Sequence, residues 1–156
     1  MLNMEGKTDL QREIEGAIKD AGIEQFDIGN KSDVVSRIIK IYVKGKPRVW
    51  WLALNHVKSI HGFENNMGFA AIPKIIENID GKRHKNREKV YLVADENEDG
   101  ESLWVYKIQL DKLSSIIENC RYFEYYVVAI DYSWLIAEND HGDVIVCQAP
   151  LSCLSP

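Results

Sequence analysis

The sequence predicts an α+β domain, with an antiparallel sheet of about five to six strands, helices mainly on one face and a C-terminal three-stranded meander. Three observations carry this. The stretch 121–147, RYFEYYVVAIDYSWLIAENDHGDVIVC, holds three short runs rich in Val, Ile, Tyr and Trp, separated by Asp-Tyr-Ser and by an Asn/Asp/Gly cluster. Runs of that kind with links of that kind read as strands joined by hairpins. A second pair of runs, VYLVA and LWVYKI, flanks the acidic segment 95–100. Outside these stretches, apolar residues recur at helical spacing.

Taken in order, Thr8, Asp9, Leu10 and Gln11 fit a capping box, in which the Thr hydroxyl and the Gln amide satisfy free backbone N–H groups. Leu10, Ile14, Ala17, Ile18 and Ala21 follow on one helical face, and Gly22 suits the residue after the end. The first helix is therefore expected over 8–21. A second start signal, Asn30-Lys31-Ser32, precedes Val34, Val35, Ile38, Ile39 and Tyr42, and Gly45 and Pro47 end that helix. Arg37, Lys40 and Lys44 lie on its outer side.

The run VWWL predicts a strand over 48–54, with Trp50 and Trp51 on opposite faces. Residues 55–71 read as irregular because of Gly62, Asn65, Asn66 and Gly68, with room for a short helix over 57–60. Pro73 opens a short helix over 73–79 that stops at Gly81. The basic run KRHKNREK, 82–89, has no apolar periodicity and reads as a loop. Strands at 90–94 and 103–108 then enclose the acidic loop, a helix spans 110–119, and the meander occupies 123–130, 134–138 and 143–147. The tail 149–156, with two prolines, reads as an extension. The order is α-α-β-α-β-β-α-β-β-β. Consecutive apolar positions such as YYVVAI predict burial on both faces, under helices and loops or at a subunit contact.

With 156 residues, 46% hydrophobic and 28% charged, the chain suits a single soluble globular domain, 1–156. The start MLNMEGKTDLQ lacks the apolar region of a signal peptide. No apolar run approaches the ~18 residues of a membrane span. Three cysteines, Cys120, Cys147 and Cys153, do not make a disulfide framework. The expected location is the cytoplasm. The net charge of −5 is unevenly spread: residues 1–30 carry −4, 31–89 carry +8 and 90–156 carry −9. That asymmetry suits a face made for a basic partner or one made for an acidic partner.

Asp95, Asn97, Asp99 and Gly100 match the opening of a calcium loop, D-x-N-x-D-G. The match ends there, since the twelfth position is Tyr106 and the flanks read as strands. The plainer reading is a tight turn whose Asp95, Glu96, Glu98, Asp99 and Glu101 form a negative knob. His56, His61, His84 and His141, and Cys147 with Cys153, are not at zinc-ligand spacing. His141, beside Asp140 and Asp143, is either a general base or, more commonly, a hairpin-tip hydrogen-bonder. There is no G-x-S-x-G, P-loop or dinucleotide fingerprint. The expectation is a protein that is not an enzyme, without cofactor or metal.

The segments FEYYVV at 123–128, WLIAEND at 134–140 and DVIV at 143–146 resemble the C-terminal signature of a family of small bacterial proteins with no established activity. The likeness extends more loosely over 88–147. In size and architecture that family is similar to immunity proteins of bacterial toxin systems. This implies a non-catalytic binding protein, an antitoxin neutralising a basic toxin domain such as a nuclease. Its contact surface is expected to include Asp95, Glu96, Glu98, Asp99, Glu101, Glu138, Asp140 and Asp143, with Trp50 or Trp51 as an aromatic anchor. The alternative is a nucleic-acid or phospholigand binder using the basic segments 31–48 and 82–89. The overall pI of about 5.4 weighs against it.

Overall fold

The computed structural model of the chain describes residues 6–23, 31–64, 67–79 and 88–154. Helix α1 spans Asp9–Asp20. Both halves of its capping box form: the Thr8 hydroxyl accepts from the Gln11 amide at 3.2 Å, and the Gln11 side chain accepts from the Thr8 amide at 2.9 Å. The same hydroxyl donates to Glu96 Oε1 at 2.6 Å, which ties the helix start to the acidic loop. Thr8→Ala loses the cap and that bond, so a loss of about 1–2 kcal/mol is expected in chemical denaturation. A change below a few tenths would show that the box contributes nothing.

Helix α2 spans Lys31–Tyr42 and helix α3 Ile72–Glu77, with Pro73 in its first turn. Helix α4, Leu113–Glu118, is preceded by a 3-10 turn at Leu110–Lys112. The strands are β1 Val57–Gly62, β2 Lys89–Asp95, β3 Leu103–Gln109, β4 Glu124–Ala129, β5 Trp134–Glu138 and β6 Asp143–Gln148. They form one six-stranded sheet in the order β1-β6-β5-β4-β2-β3, with every pairing antiparallel. The meander β4-β5-β6 is consecutive, as the sequence predicts.

Helices α1, α3 and α4 pack on one face, over Leu92, Val127, Ile136 and Val144. On the other face, α2 and Trp50 cover Val93, Tyr126, Val128, Leu135 and Cys147. Every residue of β4 and β5 is therefore buried. Two-sided burial, expected from the consecutive apolar runs, is achieved within the chain by helices and the Trp50 turn.

Two expectations are corrected. Residues 48–54 are not a strand; Trp50–Ala53 is a 3-10 turn. Tyr126 decides this. Its ring packs on Trp50 at 5.0 Å and its hydroxyl accepts from the Trp51 amide at 3.1 Å. Docking both groups on one tyrosine overrides the β propensity of a tryptophan pair. The strand lies instead at Val57–Gly62, where a short helix was allowed. Its residues VKSIHG present no apolar face, and it is held by backbone pairing to β6 at the sheet edge, from Val57↔Cys147 to Gly62↔Asp143. Periodicity has nothing to report in such a strand. The basic run at 82–87 lies outside the described residues.

Candidate functional site at the acidic end of the sheet

Strand pairing puts two hairpin tips at one end. Asp95 at the end of β2 pairs with Glu124 at the start of β4, and the next residue, Tyr125, pairs with Glu138 at the end of β5. The β2–β3 and β5–β6 tips therefore emerge together beside Glu124. This is the end at which the sequence gathers its carboxylates.

The eight predicted contact residues divide by what they touch. Asp95 is 0% exposed and accepts from the amides of Asp99 at 3.2 Å and Gly100 at 2.7 Å. It shapes the turn from inside, and burial pushes its carboxyl up. Asp99 accepts from the amides of Glu101 and Ser102, which pull its carboxyl down. Glu96 accepts from Thr8 and from the Trp104 indole at 2.6 Å. The predicted tight turn is thus built by the residues that resembled a calcium loop, and Asp95 points into the protein.

Glu138 is 3% exposed; the Tyr125 hydroxyl donates to it at 2.6 Å and the Gly68 amide at 2.8 Å. A Cβ on Gly68 would overlap the Glu138 carboxylate and Val144, so the amide reaches the carboxylate only because residue 68 is glycine. Asp143 is half-buried, and its amide, with that of His141, donates to Asn139 Oδ1 at 3.0 Å. Glu101 and Asp140 are exposed, and Glu98 is half-exposed with φ of +53°.

The fold adds one residue that the sequence did not single out, Glu124. Carboxylate oxygens of Glu98, Glu124 and Asp140 all lie within 4.8 Å of one another. Glu124 is 2% exposed. Its Oε2 accepts from the Trp51 indole at 3.0 Å, while Oε1 has no hydrogen-bond partner. Burial first, and then repulsion by Glu98 and Asp140, push this carboxyl up to about 7. The Trp51 ring also meets the edge of His141 at 5.6 Å, and the His141 ring lies 3.6 Å from Asp140 Oδ1. The one available signal was an acid inside an apolar strand, the Glu of FEYYVV. Trp50 is 4% exposed and belongs to the core, so of the two adjacent tryptophans it is Trp51 that reaches the carboxylates at this end.

Cations of the basic 31–48 segment are partly committed. Lys31 sits over the Trp104 ring at 4.4 Å, Arg37 donates to the Leu154 carbonyl at 3.1 Å, and Arg48 donates to the Glu98 carbonyl at 3.3 Å. A cleft of about 300 Å³ next to Glu138 is lined by Met67, Phe69, Cys120, Tyr122 and Phe123. Burial pushes the Cys120 thiol up to about 11, so it is not a thiolate nucleophile at neutral pH. Among the described residues no helix is long and apolar enough to cross a membrane.

No curated protein and no solved structure matches the chain. A family model described as a family of unknown function (DUF6756) matches residues 6–153, well beyond the 88–147 segment that carries the C-terminal signature. The match runs from before α1 to the turn after β6, and the chain belongs to that family.

Proposed function

We propose that the chain is a non-catalytic binding protein of the immunity type, which blocks a basic domain of a bacterial toxin with the acidic end of its sheet. The observation that supports this is the convergence of both acidic tips on Glu124, with three carboxylates inside 4.8 Å. A toxin that acts on a polyanion needs a basic cleft. Carboxylates held on a rigid sheet end occupy such a cleft without further ordering, and their field speeds association. Asp95, Glu96, Asp99 and Glu138 act in this reading as the frame that fixes the tips. The groups that meet the partner are Glu98, Glu101, Asp140 and Asp143.

The test is the triple substitution Glu98→Gln, Glu101→Gln and Asp140→Asn, with affinity measured at low and high salt for any toxin-like domain found encoded next to this gene. A loss of about tenfold or more at low salt is expected, shrinking as salt screens the wild-type contact. Equal affinities at both salt concentrations would remove this end from the interface. Failure of the wild-type protein to bind or protect against that toxin would remove the immunity reading.

A further inference from the structure

We propose that Glu98, Glu124 and Asp140 form a site for a hard divalent cation of calcium size, which clamps the two hairpin tips to the start of β4. The inference goes beyond toxin binding and stands without it.

Three independent elements supply the oxygens: the β2–β3 tip, the first residue of β4 and the β5–β6 tip. Calcium–oxygen distances run ~2.3–2.6 Å, so oxygens across one ion stand up to roughly 5 Å apart. The three carboxylate oxygens lie within 4.8 Å of one another, which fits that sphere. Magnesium demands near-ideal octahedral geometry and dehydrates reluctantly, which carboxylates from three separate elements suit less well.

A group of acids alone would say little, because exposed acids cluster freely. Glu124 is different. It is 2% exposed, and its Oε1 is closed to solvent and makes no hydrogen bond of ordinary geometry, although the Asp140 backbone N–H is near enough to the carboxylate to favour its charged form. An ionised oxygen in that state is costly unless a cation meets it. Its partner oxygen is already oriented by the Trp51 N–H at 3.0 Å. Fixing a ligand through its second atom is how outer-shell groups aim metal-binding carboxylates.

Among the described residues no lysine or arginine forms an ion pair with any of the three acids; Arg48 uses its guanidinium on the Glu98 carbonyl. Exposed Asp140 leaves the site open to solvent. The three carboxylates, mono- or bidentate, together with water can meet the six to eight oxygens that calcium takes. An all-oxygen set favours a hard ion over zinc. The His141 ring faces Asp140 and Trp51, and its nitrogen is a donor at this end that would favour a softer ion.

The test is calorimetric titration of chelator-treated full-length protein with Ca²⁺, Mg²⁺ and Zn²⁺ separately, alongside Tb³⁺ emission excited through tryptophan and displaced by Ca²⁺. One Ca²⁺ site is expected, at least about tenfold tighter than Mg²⁺. Glu124→Gln and, independently, the exposed Asp140→Asn should each weaken Ca²⁺ by about tenfold or more, with unchanged circular dichroism. Glu101→Gln, on the same tip but outside the triad, should leave it within about twofold. Absence of Ca²⁺ binding into the millimolar range would overturn the site. So would equal losses from Glu101→Gln and Asp140→Asn, which would mean diffuse attraction, or Zn²⁺ binding that depends on His141 and not on Glu124.

Discussion

Glu138→Ala is expected to lower the stability of the fold by about 3 kcal/mol. The substitution removes the acceptor for the Tyr125 hydroxyl and the Gly68 amide, both inside the protein. Each orphaned buried donor costs about 1–3 kcal/mol. Loss of the side chain also leaves a void between β4, β5 and the 3-10 turn Gly68–Ala71. Against this runs one relief. Burial pushes the Glu138 carboxyl up, so the wild-type protein already carries a penalty there at neutral pH. Glu138→Gln keeps an acceptor oxygen and the volume, and should lose only about 1 kcal/mol. Urea denaturation with a shared m-value checks both. Equal losses for Ala and Gln would show that the two donors are not what Glu138 contributes.

Glu124→Gln is expected to do the reverse, raising stability by about 2 kcal/mol at pH 8 in metal-free protein and leaving it unchanged at pH 4. The sign follows from the direction of the shift. Burial, then Glu98, raise this carboxyl from its ordinary 4.5 to about 7. The folded protein therefore holds the proton longer than the unfolded chain does. Stability is fully present below about pH 4.5 and is lost as the pH rises through about 7. The glutamine, neutral throughout, removes that loss. Melting curves of wild type and variant at pH 4, 6 and 8 would show the gap opening with pH. A gap of constant size would mean that the effect comes from packing and not from the buried charge.

The elements most legible in the sequence were those whose signal is local. The capping box of α1 needs only Thr8 and Gln11, and the meander needs only its apolar runs and short links. The misread stretch 48–62 depends on distant partners. Trp50 and Trp51 turn because Tyr126 receives both. The strand β1 exists because β6 offers it an edge. At the candidate site, the charge asymmetry and the hairpin tips pointed to the end of the sheet where the carboxylates of both tips gather. What spacing could not show was inside and outside: Asp95 and Glu138 are carboxylate residues like Glu98 and Asp140, yet they face inward to amides and a hydroxyl. Glu124 was hidden for the same reason. It comes within reach of Glu98 and Asp140 only once β2, β4 and β5 are in register.

The edge position of β1 also sets an order of assembly. The ribosome releases β1 before any of the other strands, yet β6, its one partner in the sheet among the described residues, emerges after all of them. The hairpins β2–β3, β4–β5 and β5–β6 close short loops and are quick to find. Pairing of Val57 with Cys147 closes one of the longest loops in the chain and gains no apolar face in return. During synthesis β1 must therefore wait as an unpaired strand. Lys58 and His61, both exposed, make it a poor template for a second chain in that interval. Once docked, it is the strand held by the least burial. Local opening of the native sheet should begin there, at the edge farthest from β3.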